Sequence, residues 1–123
     1  MTKKIIVADD HPSWREMYVR LVQDAFPNVY VDSVETGSEL VKRVLQEDYS
    51  VVISDNDMEE HGAGLKALQA IREAGKQVPF YIYSRRSIAN EALRLGANGF
   101  YNKAQFDSNR LIADIKQYLV DKL

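Results

Sequence analysis

The chain has 123 residues, which is enough for one domain with a substantial core and too few for two. Its formal charge of −2 and pI near 5.7 give no reason to expect direct nucleic-acid binding by this segment. The absence of cysteine excludes disulfides and thiolate metal sites. No apolar stretch approaches the roughly 20 residues that span a bilayer, so we expect no membrane insertion and a cytoplasmic location.

The chain begins with a strand, a helix and a second strand. Ile5–Ala8 is an apolar run that predicts the first strand. Pro12 suits the first turn of the following helix, where no backbone donor is needed, and Pro27 ends that helix. Val29–Val34 alternates between two sets of side chains and predicts the second strand. The helix is predicted from the spacing of Trp14, Met17, Tyr18, Leu21, Val22 and Ala25.

The middle of the chain contains two more strands and three helices. A capping-box pattern at Thr36–Glu39 predicts the start of the second helix. The third strand is Val51–Ser54, and the third helix ends near Gly75. The fourth strand, Phe80–Tyr83, precedes a short helix at Ser87–Leu95. The second helix is expected to bury Leu40, Val41, Val44 and Leu45, and the third Leu65, Leu68 and Ile71.

A final strand and helix complete five strand–helix pairs. The strand is Gly99–Asn102, and the helix begins after Asp107. Its inward face is predicted to carry Leu111, Ile112, Ile115 and Leu119. Five such pairs imply right-handed crossovers and a parallel sheet buried on both faces. The sequence therefore predicts a (βα)5 α/β sandwich of three layers.

Polar side chains follow four of the predicted strands at their carboxyl ends. They are Asp9 and Asp10 after the first strand, Asp55 after the third, Ser84 after the fourth and Lys103 after the fifth. Parallel strands bring these ends to one edge of the sheet, where open α/β folds bind ligands. Carboxylates that converge there repel one another unless a cation lies among them. The pattern predicts a divalent-metal site beside a carboxylate that can react.

This set of strand-end residues resembles the receiver domain of bacterial two-component response regulators, of the chemotaxis-regulator-like type. Two local strings, Val7–Pro12 and Gly96–Phe100, are also similar to that family, and the resemblance covers essentially the whole chain. It implies a single receiver domain at residues 1–123. It also implies a flavodoxin-like three-layer sandwich with a five-stranded parallel sheet of order 2-1-3-4-5.

The resemblance implies a phosphoacceptor site that uses Mg²⁺ or Mn²⁺. Asp55 would be the nucleophile, whose ionised oxygen attacks phosphorus and forms an aspartyl phosphate. Asp9, Asp10 and Asp55 would hold the cation together with the backbone carbonyl of Asp57. Lys103 would contact one phosphoryl oxygen as a point charge.

Two further residues are implied to take part in switching. The Ser84 hydroxyl would donate a hydrogen bond to the phosphoryl group only after phosphorylation, and such a differential contact can shift a conformational equilibrium. Phe100 would occupy the family's aromatic switch position. The implied partners are a histidine kinase or phosphotransfer protein as donor and an effector domain or protein target as output. The protein would be a monomer or a phosphorylation-dependent dimer, and its chemistry would be limited to its own phosphorylation and dephosphorylation.

Several positions depart from the family pattern. Glu59 and Glu60 replace the usual proline in a longer loop after Asp55, and we expect both carboxylates to be solvated. Arg85 follows Ser84, where a small residue is common, and would cover or contact the phosphoryl site. The fourth helix should be short, and Ala104 rather than proline follows Lys103.

Two other functions are considered. Asp55-Asn56-Asp57 after an apolar strand also fits the start of haloacid-dehalogenase-type phosphohydrolases, in which the second aspartate is a general acid/base. Those enzymes need Thr or Val where this chain has Glu59, and an acidic pair downstream of the lysine that this chain lacks. The other alternative is a degenerate receiver that binds proteins independently of phosphorylation.

Overall fold

Strands and helices alternate along residues 3–120, which are the residues that the computed structural model describes. The strands are β1 (Lys4–Ala8), β2 (Tyr30–Val34), β3 (Val51–Asp55), β4 (Phe80–Ser84) and β5 (Gly99–Asn102). The helices are α1 (Pro12–Ala25), α2 (Gly37–Gln46), α3 (Ala63–Glu73), α4 (Ala89–Arg94) and α5 (Ser108–Leu119), with a 3-10 turn η1 at Lys103–Gln105. All strand pairs are parallel, and the sheet order β2-β1-β3-β4-β5 confirms the predicted flavodoxin-like fold.

The sheet is buried on both faces because helices cover each side of it. Successive residues of a strand point to opposite faces, so Ile6 joins the core beneath α2 and α3, while Ile5 joins the core beneath α1 and α5. The five residues of β3 and the five of β4 are all buried. This explains why both strands are continuous apolar runs up to their polar ends. Within residues 3–120, no helix has the length and apolar character needed to cross a membrane.

The structure differs from the sequence-based prediction in some details of the elements. β2 begins at Tyr30 rather than Val29, and α4 begins at Ala89 rather than Ser87. The backbone before α4 forms a turn instead, since the Ile88 amide donates a hydrogen bond to the carbonyl of Arg86. Leu45 was expected to be buried but is 43% exposed. Each helical residue adds a rotation of about 100°, which carries Leu45 beyond the face that Val44 buries.

The N-terminus of α2 is capped by two side chains, Thr36 and Glu59, and Glu59 is exposed to solvent as predicted. Thr36 Oγ1 accepts a hydrogen bond from the Glu39 amide, as the capping-box pattern predicts. The Glu59 carboxylate accepts hydrogen bonds from the amides of Gly37 (2.7 Å) and Ser38 (3.0 Å). Burial alone would raise the pKa of Glu59, but these amides outweigh it and hold that pKa below its ordinary value. Glu59 therefore links the loop after β3 to α2, using the positive end of the helix dipole.

Replacing Glu59 by alanine should lower the free energy of unfolding by about 1–2 kcal/mol, because two helix-terminal amides lose a charged acceptor. Urea unfolding measures this change. Glu60→Ala is the matched control, since Glu60 lies in the same loop and contacts only the exposed Lys66 among the ion pairs of residues 3–120. The control should stay within about 0.5 kcal/mol of the original protein. Equal effects of the two substitutions would show that the cap contributes no stability.

Candidate functional site

Three carboxylates meet at the carboxyl edge of the sheet. Asp9 and Asp10 follow β1, and Asp55 ends β3. Each offers one oxygen, and these oxygens all lie within 4.8 Å of one another. Asp9 is fully buried and Asp55 is 4% exposed, whereas Asp10 is exposed. A hard oxygen donor set that opens to solvent on one side fits Mg²⁺ or Mn²⁺, which retain water ligands.

The two oxygens of Asp55 have different partners. Oδ1 accepts a hydrogen bond from the Asn56 amide at 2.8 Å, and Oδ2 accepts one from Lys103 Nζ at 3.2 Å. Burial and then the negative charge of Asp9 raise the pKa of Asp55 to about 6, although Lys103 and the Asn56 amide oppose the rise. The carboxylate is thus ionised at neutral pH but held in an environment that disfavours its charge. Such a group gains from any cation placed beside it.

Lys103 lies directly after β5, in the 3-10 turn η1. Its side chain is 11% exposed. Nζ lies 4.9 Å from the centre of the Trp14 ring and 5.3 Å from that of Tyr83. The two aromatic rings and the carboxylate of Asp55 therefore hold the ammonium group in place.

Ser84 ends β4, one residue past the point where Tyr83 pairs with Asp55 in the sheet. It is 1% exposed. Its Oγ accepts a hydrogen bond from the Arg86 amide at 3.0 Å. Since a hydroxyl can donate while it accepts, the Ser84 proton is available to a further oxygen.

Phe100 lies in β5 opposite Ile82 of β4. The side chain is partly buried and packs against the core beneath α2 and α3. Its neighbour Tyr101 belongs to the core on the other face of the sheet. The position of Phe100 is that of a rim residue of the core, and its role as a switch stays a prediction.

The Asp57 side chain lies outside the acidic cluster. Its carboxylate accepts hydrogen bonds from the Gly62 amide at 2.9 Å and from Arg86 Nη2 at 2.8 Å. Burial alone would raise the pKa of Asp57, but the amide and the guanidinium hold it below the ordinary value. Arg86 Nη2 also contacts His61 Nδ1. The contribution of the Asp57 backbone carbonyl to a metal site stays a prediction.

Arg86, rather than Arg85, contacts the loop after β3. The Arg86 side chain joins the loop after β4 to the loop after β3 through Asp57. Arg85 is exposed. The turn that the Arg86 amide makes with Ser84 places residue 86 at this position, and the order of two adjacent arginines gives no signal for it.

The loop after β3 packs closely against the start of α3. The Gly64 amide donates to the carbonyl of Asn56 at 2.8 Å, and the Leu65 amide donates to Asn56 Oδ1 at 3.2 Å. A Cβ atom at Gly64 would lie 2.3 Å from the carbonyl oxygen of Asp55. Only glycine permits this approach, so Gly64 fixes the backbone that carries Asp55.

Tyr83 is a site residue, although its position in the sequence indicates only that it belongs to an apolar strand. Its hydroxyl donates to Asp9 Oδ2 at 2.7 Å. The sequence contains one signal for this role, a tyrosine directly before the strand-end hydroxyl of Ser84.

Comparisons with known proteins identify the family. The chain matches the family model of the response regulator receiver domain over residues 5–116. It is 30% identical over 106 residues to the glycerol metabolism activator of Pseudomonas putida. This match covers 82% of this chain and 47% of that protein. The chain thus spans about half the length of this curated relative.

Solved structures show the same fold. The response regulator TrrA of Thermotoga maritima, solved in complex with Mg²⁺–BeF, is 25% identical with a TM-score of 0.82, and the match covers 96% of this chain and 100% of that one. The chemotaxis response regulator CheY4 of Vibrio cholerae is 24% identical with a TM-score of 0.81, covering 97% and 100% of the two chains. The chain belongs to the family of response regulator receiver domains, the phosphoacceptor modules of two-component signalling.

Proposed function

We propose that Asp55 accepts a phosphoryl group from a phosphohistidine donor, which is a histidine kinase or a phosphotransfer protein. The observation that carries this proposal is the arrangement around one carboxylate. Lys103 contacts Oδ2 of Asp55, and one oxygen each of Asp9, Asp10 and Asp55 lies within 4.8 Å of the others. The aspartyl oxygen forms a bond to phosphorus, while the bond from phosphorus to the donor imidazole breaks and its electron pair stays on the nitrogen.

Asp9, Asp10, Asp55 and the backbone carbonyl of Asp57 would hold Mg²⁺ or Mn²⁺. When bound, the cation supplies positive charge that offsets the acids and the oxygens of the transferring group. Lys103 supplies the second positive charge, and its low exposure keeps the ammonium close to Asp55. Phosphoryl transfer asks mainly for alignment and charge stabilisation, and these groups provide both.

The switch would depend on Ser84 and Phe100. In the unphosphorylated chain, Ser84 accepts from the Arg86 amide and keeps its own proton for donation. A phosphoryl group on Asp55 adds an acceptor that exists in one state only, which is the condition for a population shift. Movement of the hydroxyl would leave space for Phe100 to turn inward. A coupling of about 1–3 kcal/mol is sufficient to bias partner binding.

Incubation with Mg²⁺ and a small acyl phosphate, followed by intact-mass measurement, tests the proposal. We expect one phosphoryl group per chain, dependent on Mg²⁺ and absent from Asp55→Asn. Continuous turnover of the acyl phosphate without a stable adduct would favour a haloacid-dehalogenase-type phosphohydrolase. Neither uptake nor turnover would favour a degenerate receiver that binds proteins without phosphorylation.

The output is proposed to pass to an effector domain or a separate target protein, with the chain acting as a monomer or as a phosphorylation-dependent dimer. The support is that the match to the Pseudomonas putida relative covers 47% of that protein, so the relative contains further chain beyond the matched region. Size-exclusion chromatography with and without a beryllium fluoride phosphate mimic measures the oligomeric state.

Trp14 should report on the site by its fluorescence. It is the only tryptophan of the chain, and its ring lies 4.9 Å from Lys103 Nζ. We expect its emission to change when beryllium fluoride and Mg²⁺ bind, because Lys103 would then turn toward the new anion. Calorimetry on the same sample establishes that binding has occurred. Unchanged emission despite calorimetric binding would show that Lys103 does not move relative to the ring.

A further inference from the structure

Tyr83 is a buried residue that contacts both a negative and a positive group of the site, Asp9 and Lys103. It lies in β4 directly before Ser84, pairs with Asp55 in the sheet, and is 1% exposed. We propose that Tyr83 is a positioning residue: its hydroxyl fixes Asp9 for the divalent cation, and its ring holds Lys103 beside Asp55. This inference rests on the proposed function, because it assigns a role within that site.

The Tyr83 hydroxyl is the group that orients Asp9. Asp9 is fully buried, and Tyr83 donates to its Oδ2 at 2.7 Å while the His11 amide donates to its Oδ1 at 2.8 Å. Both oxygens are thereby fixed in direction. Groups that hydrogen-bond to a metal-binding carboxylate orient it and tune its affinity for the metal. Without the hydroxyl, Asp9 would keep only the backbone contact on one oxygen.

The Tyr83 ring is the group that holds Lys103. Lys103 Nζ lies 5.3 Å from the centre of the Tyr83 ring and 4.9 Å from that of Trp14. A cation between two aromatic faces is attracted to both. The only carboxylate that Lys103 pairs with among the ion pairs of residues 3–120 is Asp55. The two rings therefore limit the directions in which the ammonium group can turn away from Asp55.

Further aromatic contacts keep Tyr83 itself in place. Its ring stacks on that of Tyr18 with centroids 4.3 Å apart and an interplanar angle of 22°. Phe106 packs edge-on against Tyr18 at 5.3 Å. A ring held on one side by Tyr18 cannot swing without disturbing the core beneath α1 and α5. The hydroxyl and the ring face are thus presented in fixed directions.

The competing explanation is that Tyr83 is simply a large core residue. Tyr81 provides the matched control, because it lies two residues earlier on the same face of the same strand and is also buried. Its ring neighbours within residues 3–120 are Tyr101 and Tyr118, neither of which belongs to the site. If Tyr83 contributes packing alone, removal of either hydroxyl should have the same effect on metal binding.

Three substitutions separate the two roles: Tyr83→Phe removes the hydroxyl, Tyr83→Leu also removes the ring, and Tyr81→Phe is the control. The free energy of unfolding is measured by urea at increasing Mg²⁺, which gives the Mg²⁺ dissociation constant by linkage. The rate of phosphoryl uptake from a small acyl phosphate is measured separately at saturating Mg²⁺.

We expect Tyr83→Phe to raise the Mg²⁺ dissociation constant by about tenfold. Tyr83→Leu should also slow uptake at saturating Mg²⁺, because Lys103 loses one ring face. Tyr81→Phe should change neither quantity. A change in metal-free stability without a change in the Mg²⁺ dependence is the signature of a merely structural residue.

The inference is overturned if Tyr83→Phe binds Mg²⁺ as the original protein does, or if Tyr81→Phe weakens binding equally. It fails in its second half if Tyr83→Leu takes up phosphoryl groups at the original rate. An unsubstituted protein that binds Mg²⁺ but takes up no phosphoryl group would refute the proposed function, while the Mg²⁺ comparison would still decide the role of the hydroxyl. An unsubstituted protein that binds no Mg²⁺ would overturn both.

Discussion

Replacing Lys103 by methionine is expected to slow phosphoryl uptake from a small acyl phosphate by about a hundredfold, the usual effect of removing one preorganised charge donor. Methionine keeps a long, unbranched side chain but has no ammonium group to contact a phosphoryl oxygen. Lys103 Nζ lies 3.2 Å from Asp55 Oδ2 and also lowers the pKa of that carboxyl. The substitution therefore removes a contact to the transferred group and raises the pKa of Asp55 further above 6.

These two effects can be separated by pH. Any part of the loss that comes from protonation of Asp55 is confined to lower pH, because at alkaline pH Asp55 is ionised in both proteins. The loss that persists at alkaline pH measures the missing contact to the phosphoryl group. Lys66→Met is the control, because Lys66 lies on the exposed side of α3 and pairs with Glu60. Full recovery of the rate at alkaline pH would show that Lys103 acts only through the ionisation of Asp55.

Replacing Asp55 by asparagine is expected to stabilise the metal-free protein near neutral pH by about 2–3 kcal/mol. Burial and the charge of Asp9 raise the pKa of Asp55 from its ordinary value of 3.8 to about 6. Folding therefore favours the protonated carboxyl. This favourable contribution is complete below the unfolded-state pKa and is lost as the pH rises through about 6. Asparagine is uncharged at every pH, so the stability of the variant does not fall in this way.

The gain from Asp55→Asn should consequently depend on pH. In metal-free buffer, the urea midpoints of the two proteins should converge at acidic pH near 3.8, diverge as the pH rises from there to about 6, and stay apart at higher pH. Mg²⁺ should reduce the difference, since a cation beside residue 55 stabilises a charged aspartate more than a neutral asparagine. Asp48→Asn is the control, because Asp48 is fully exposed. A lower midpoint for Asp55→Asn at neutral pH would show that the carboxylate has a structural role instead.

The fold could be predicted from the sequence because the period of the apolar residues changes from element to element. Val51–Ser54 and Phe80–Tyr83 are continuous buried runs, as strands covered on both faces must be. Because the strands are parallel, their polar ends lie at the same edge of the sheet, and no further information is needed to predict this. The structure accordingly places Asp9, Asp10, Asp55, Ser84 and Lys103 at one edge of the sheet.

Features that depend on contacts between distant residues could not be predicted. Glu59 reaches Gly37, 22 positions earlier in the chain, and nothing in the local sequence shows that an exposed-looking glutamate caps another helix. The bridge from Arg86 to Asp57 depends on the turn after Ser84. The contact of Tyr83 with Asp9 joins residues that are 74 positions apart. Each of these pairs depends on side-chain packing between distant parts of the chain, so a pattern of residue types along the sequence does not predict it.

The position of the phosphoryl group is the most direct test of the account. The protein would be treated with Mg²⁺ and a small acyl phosphate, the adduct reduced with borohydride, and the resulting peptides sequenced by mass spectrometry. Reduction converts an aspartyl phosphate to homoserine, so we predict homoserine at position 55 in the treated protein and aspartate there in the untreated one. Modification at Asp10, Asp57 or a histidine, with Asp55 unaltered, would contradict the account.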